Sequence, residues 1–272
     1  VDIREREIRE VADAIREQGV NARLSTVDLA DSAAVEQLAR DVLASTTPVD
    51  LLVNNAGVAY YGPTLAMADA DWDRLLAVNL DAPLLLTRRL LPALLVRPDA
   101  HVVNIASMYG LFALRKACAY HVSKFGMVGF GEALRAEFGP MGLGVTIVCP
   151  GFVRTNLFES GMLGGAEAAR KMPPAWASTT PEHVADLTIR AIYRNRRQVV
   201  VTWLARSLYL LKRFLPGLFD FCLQRRRKRG GQRKGREAES ESMLREEGSE
   251  TKRREEVAAA VAAVAARNGR PT

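Results

Sequence analysis

The chain has 272 residues, 48% of them hydrophobic, which suits one large domain with a sizeable core and an appendage. Its net charge of +7 is uneven: residues 225–272 carry 14 Lys/Arg against 8 Asp/Glu, whereas residues 1–224 carry 24 against 23, so the near-neutral body argues against nucleic acid as a partner. The three cysteines, Cys118, Cys149 and Cys222, form no CxxC pair and argue against a disulfide framework, pointing to a reducing, cytoplasmic compartment; His101, His121 and His183 lack the spacing of zinc ligands, and no metal site is expected.

Residues 3–18 carry Ile3, Ile8, Val11, Ala12 and Ile15 as an apolar stripe among charges, which predicts a helix that Gly19 ends. "ARLSTVDLAD" (22–31) predicts a short strand ending near Asp28, and Ser32 to Leu43 a second amphipathic helix. "VDLLVNNAG" (49–57) reads as an apolar strand that stops in a turn, and residues 72–95 as a long helical run around Asn79. Next come a strand at "HVVNIAS" (101–107), a helix over 120–138, and strands at "GVTIVCPG" (144–151) and "QVVVTW" (198–203). Apolar strands alternating with helices predict an α/β fold, a parallel sheet covered on both faces. Such sheets bind ligands beyond the carboxyl ends of their strands, where Asp28, Asn54–Gly57, Ser107 and Pro150–Gly151 all fall.

Tyr120 and Lys124 stand four apart in a helical stretch, so they share a face. A free phenol has a pKa of about 10, too high for efficient proton exchange at neutral pH, and a nearby ammonium favours the phenolate. Tyr120 then suits general acid or base work, and Ser107, at the preceding strand end, can hold a substrate oxygen beside it. Tyr-x-x-x-Lys by itself is equally a partly exposed helix face.

Six pieces together carry a resemblance: "DLAD" (28–31), "NNAG" (54–57), "VNL" (78–80), "NIAS" (104–107), "YHVSK" (120–124) and "PGFVRTN" (150–156). In order and spacing, over roughly residues 1–205, the chain resembles the short-chain dehydrogenases/reductases. The resemblance implies a Rossmann-like, doubly wound, three-layer α/β/α fold and hydride transfer between a nicotinamide cofactor, NAD or NADP, and an alcohol or carbonyl. It also implies roles. Tyr120 looks like the acid/base, Lys124 like the residue that lowers its pKa and holds the nicotinamide ribose, and Ser107 like the substrate-oxygen donor. Asn79 resembles the asparagine supporting a proton-relay water, although helix capping or packing would also explain it. Asp28 and Leu29 look like adenine contacts, Asn55, Ala56 and Gly57 like the turn along the cofactor, and Gly151, Val153 and Thr155 like contacts at the nicotinamide end.

That family normally opens with a strand and a glycine-rich turn, T-G-x-x-x-G-x-G, in which glycines let the backbone approach the pyrophosphate. No such turn occurs in this sequence, so the first β-α unit is expected to be absent and its neighbours to lack backbone partners and cover. In "VDIRERE" (1–7), Asp2 resembles the acid that bonds the adenine ribose, which favours NAD, while Arg4 leaves NADP open. The alternative to an enzyme is a non-catalytic binding or scaffolding protein of the same fold.

Met108, Tyr109, Leu111, Phe112 and Leu114 follow Ser107, and Phe152, Leu157, Phe158, Met162 and Leu163 follow the late strand. This apolar lining predicts a lipophilic alcohol or ketone as substrate, with residues 156–180 as the variable lid. The 206–235 extension has no eighteen-residue uncharged run, and its segment 207–235 mixes Leu and Phe with a basic cluster. Peripheral membrane contact fits, and so does packing on the body or across a homodimer or homotetramer. Residues 236–272 are expected to be a charged, solvated tail with a short alanine-rich helix at 257–266.

Overall fold

The computed structural model describes residues 1–155, 157, 162, 163 and 175–224. Val1–Asp220 is one compact unit; of the second, Phe221–Thr272, the described residues are the last turn of a helix. In chain order the main elements are α1 (Glu5–Glu17), α2 (Ser32–Leu43), β1 (Leu51–Asn54), α3 (Asp69–Leu76), α4 (Ala82–Leu95), β2 (His101–Ile105), α5 (Cys118–Phe138), β3 (Gly144–Cys149), α6 (Pro181–Tyr193), β4 (Gln198–Val200), α7 (Trp203–Phe214) and α8 (Pro216–Gln224). Strands β1 to β4 form one parallel sheet in that order, each joined to the next through helix, as in a Rossmann-like three-layer fold.

The register explains the core. Leu52, Val102 and Val145 fall in one row across the sheet and pack against Leu90 and Leu94 of α4 and Leu134 of α5. All six residues of β3 are buried, as a central strand requires. One row further along, Asn54 and Asn104 stand opposite each other, and Asn54 Nδ2 donates to Asn104 Oδ1 at 2.9 Å and to Thr87 Oγ1 of α4 at 3.1 Å. Satisfying the buried amide this way fixes the alignment of β1 with β2 and brings the "NNAG" and "NIAS" strand ends side by side.

One expectation needs correction. The segment 22–31 forms no strand ladder; Thr26 makes a single parallel bridge to Asp2. A strand of this kind is held by neighbours, and no other partner lies beside it among the described residues. The helical run expected over 72–95 is continuous, and inside it a π-helical turn, Ala77–Asp81, which contains Asn79, joins α3 to α4. β1 is an edge of the sheet among the described residues, and Leu51 and Val53 are 45% and 46% exposed. The stripe on α1 is also largely open, with Ala12 its buried member.

At the amino-terminal end of the sheet, His101 Nε2 donates to Thr146 Oγ1 at 2.8 Å, whose hydroxyl in turn donates to Arg196 O at 2.7 Å. The ring is therefore the neutral Nε2–H tautomer. Burial, and secondarily the Arg135 guanidinium, bring His101 from 6.5 down to about 4. Because the folded value lies below the unfolded one, this stability is complete above about pH 6.5 and is lost as pH falls towards 4. His101→Gln should therefore remove about 2–3 kcal/mol of the decline in unfolding free energy between neutral pH and pH 4. Denaturant titrations across that range check it; an unchanged decline would show that His101 does not carry it.

Candidate active site

Three strand ends converge where α5 begins. Ser107 follows β2, and its Oγ accepts the Tyr109 N–H at 3.1 Å, holding the turn that carries the next residues. Lys124, one helical turn beyond Tyr120, is 5% exposed; its Nζ donates to Ile105 O at 3.0 Å and lies 5.7 Å from the Tyr120 ring centroid. The Ser107 hydroxyl is near enough to the Tyr120 phenol to act on its ionisation. The structure thus brings Ser107, Tyr120 and Lys124 together.

Their electrostatics differ from expectation. Burial pushes the Tyr120 phenol up to about 12, with the Ser107 hydroxyl opposing and Tyr109 adding to the rise. Burial also brings Lys124 down to about 8, opposed by the Cys149 beside it. Burial is the largest cause of both shifts, and each group is drawn towards its neutral form.

Asn79 works as a clamp. Its Oδ1 accepts Val58 N–H at 2.8 Å, and its Nδ2 donates to Val58 O at 2.8 Å and to Ser123 Oγ at 3.2 Å. Ser123 passes the connection on by donating to Tyr120 O at 2.9 Å. The π-turn around Asn79 is the kind of local irregularity that helices adopt at functional positions. A Cβ on Gly57 would meet Asn79 Oδ1 at 3.2 Å and Lys124 Nζ at 3.7 Å, so glycine keeps the "NNAG" turn close to both. A Cβ on Gly110 would stand 2.5 Å from Lys124 O, which explains how the segment after Ser107 lies directly on α5. His121 staples that segment: Nδ1 donates to Tyr109 O at 2.9 Å, so Nε2 accepts Leu114 N–H at 3.0 Å.

At the far end, Asp28 accepts Ala30 N–H at 3.0 Å, and Arg74 donates to both its carboxylate oxygens at 3.1 and 3.2 Å. The Ala30 bond chiefly, and Arg74 after it, hold this carboxyl below its ordinary value. Asp2 Oδ1 accepts from Arg4 N–H at 3.0 Å and from Arg4 Nε at 3.5 Å.

A cleft of about 970 Å³ joins these parts. Asp2, Asp28, Leu29, Asn55, Ala56, Gly57, Tyr120, Lys124, Gly151, Val153 and Thr155, every residue expected at a cofactor, line it. So do Ser107, Met108, Tyr109, Phe152 and Leu157 from the expected substrate side. Leu114 is not in the lining; its backbone is taken up by His121, while Phe112 is buried against Phe219. Phe158 lies outside the described residues. Arg74, Ser123, Val58 and His121 were missed by sequence reasoning; a hydroxyl three residues after Tyr120 on a helix was the available sign for Ser123.

The fit to a dinucleotide is good at the two ends. The volume lies within the ~300–1,000 Å³ of small-molecule sites, Gly57 leaves room beside Lys124, and acidic groups stand at the opposite end. No glycine-rich turn for a pyrophosphate is present in the sequence.

The family model for short chain dehydrogenases matches residues 1–162. A dehydrogenase/reductase SDR family member 7B from Xenopus laevis is 35% identical over 211 residues, covering 76% of this chain and 65% of that protein. A dehydrogenase/reductase SDR family protein 7-like from Anopheles gambiae is 31% identical over 203 residues, covering 74% and 64%. The chain thus spans about 65% of the length of these curated relatives. Among solved structures, a metagenomic short-chain oxidoreductase in complex with NADP is 30% identical, with a TM-score of 0.59 and coverage of 72% of this chain and 81% of the other. This chain belongs to the short-chain dehydrogenase/reductase family.

The buried ammonium has a consequence for stability. With a folded pKa of about 8 against an ordinary 10.5, Lys124 costs the fold stability below pH 8, and that cost is relieved as pH rises towards 10.5. Lys124→Met should therefore raise unfolding free energy at neutral pH by about 1–3 kcal/mol. Urea titration checks this; a loss of similar size would mean that the ammonium is net stabilising.

Proposed function

We propose that this chain is a nicotinamide-dependent oxidoreductase that reduces a lipophilic ketone or aldehyde to the alcohol, the carrying observation being the meeting of Ser107, Tyr120 and Lys124 on one wall of the cleft. A nicotinamide cofactor, when bound, supplies the hydride. Ser107 holds the substrate oxygen. Tyr120, a neutral phenol at neutral pH, carries the proton that this oxygen gains as the carbonyl carbon takes the hydride. Lys124 spends one N–H on Ile105 O and has others for ribose hydroxyls, while Asn79 fixes the facing turn through Val58. Met108, Tyr109, Phe152 and Leu157 support an apolar substrate.

For the cofactor, Asp2 at the ribose end favours NAD, since Arg4 is folded onto its carboxylate; the NADP of the metagenomic relative keeps the phosphorylated form as the alternative. Calorimetry with NADH and NADPH on the 272-residue chain separates the two.

Tyr120→Phe keeps the ring but removes its proton. Turnover should fall by about 10²-fold or more while cofactor affinity stays within a few-fold. Steady-state kinetics with a panel of lipophilic ketones, together with cofactor titration, check it. Near-parental turnover with chemistry rate-limiting would remove Tyr120 from the mechanism.

A further inference from the structure

Outside the cleft, an apolar surface is formed by α7, the start of α8 and a turn at Ala175–Ala177. Positions 203, 206, 207, 210, 213 and 214 are exposed and recur at helical spacing, so α7 turns one face outward. That face carries Trp203, Leu210 and Phe214, the last 72% exposed, and α8 adds Leu218. Trp176 extends it, with its ring 6.1 Å from that of Trp203. Large aromatic and aliphatic side chains gathered on one exposed face mark an interaction site.

The charges on this face specify what covers it. Arg206 and Arg213 flank Leu210 and have no ion-pair partner among the described residues. Helix α7, WLARSLYLLKRF, contains no acidic residue, and Asp220 of α8 is held by Lys212 at 3.0 Å. A second copy of this chain would bring positive charge against positive charge. An apolar face with unpaired guanidinium groups and exposed tryptophans instead matches the boundary between anionic headgroups and acyl chains. Among the described residues no helix is long and apolar enough to cross a bilayer.

We propose that the outward face of α7, with Trp176 and Leu218, docks on an anionic lipid surface in the plane of the membrane. The seat is not isolated from the cleft, because Phe219 of α8 packs edge-on against Phe112, in the segment that follows Ser107, with 5.8 Å between centroids. The inference does not depend on the reaction proposed above, since lipid binding is read without turnover.

The test uses the full 272-residue chain and co-sedimentation with phosphatidylcholine vesicles, with and without phosphatidylserine. The parent should bind the phosphatidylserine vesicles and be released by salt. The double variant Leu210→Glu/Phe214→Glu, which retains the basic run 225–229, should lose about tenfold or more of that binding. As a readout that needs no charged substitution, brominated phosphatidylserine should quench the parent's tryptophan fluorescence, and the double variant Trp176→Phe/Trp203→Phe should remove most of the quenching. Parental binding in the double variant, absence of vesicle binding by the parent, or absence of quenching would each overturn the proposal. A parental dimer that the double variant dissociates would overturn it in favour of a second copy on this face.

Discussion

Lys124 brings a cation into a place with very little water, and the rest of the site is arranged around it. Its ammonium bonds the carbonyl that ends β2, lies close to Gly57 after β1, and faces Asn79 in the π-turn that joins α3 to α4. Each of these neighbours is held in turn: Asn79 by both backbone groups of Val58, and Tyr120 through Ser123. A buried amine is costly because desolvation disfavours its charged form. The ammonium directs one donor to Ile105 O and lies on the wall of the cleft.

The sheet makes this arrangement rigid. The Asn54–Asn104 pair ties β1 to β2 just before both strands release their functional turns, and Thr87 anchors the pair to α4. Gly110 lets the segment after Ser107 press directly on the backbone of Lys124, and His121 closes the same segment from the other side. Tyr109 sits at the centre, with its ring edge-on to Tyr120 and Phe152 and tilted over His121. Tyr109, Phe152, His121 and Tyr120 are therefore parts of one packed cluster, so the phenol is presented in a single position.

Much of this was legible in the sequence. Strand ends and the shared face of Tyr120 and Lys124 follow from local periodicity and spacing, while the cofactor-side residues were expected from the resemblance that the short motifs carry; these and most substrate-side residues fall on one cleft. Three features were not. The strand expected at 22–31 depends on a partner, and partners are not a local property. The π-helical turn at Ala77–Asp81, in which Asn79 bonds the backbone of Val58, leaves the helical periodicity of the run unmarked. The direction of the Tyr120 shift was misjudged because the sequence shows a charge four residues away but not how completely both groups leave water. Arg74 on Asp28 belongs with these: a pairing across 46 residues has no sequence signature.

The central claim is that this cleft moves a hydride to a carbonyl while Tyr120 supplies the proton. The most direct measurement is deuterium transfer. The 272-residue chain is incubated with a lipophilic ketone and nicotinamide cofactor carrying deuterium at the reactive carbon, and the product is read by mass spectrometry. The account predicts alcohol labelled at the carbinol carbon, from one face of the cofactor only, and no labelled product from Tyr120→Phe in the same time. A folded chain that yields no labelled alcohol across the ketone panel, or a Tyr120→Phe variant that labels as fast as the parent, would contradict it.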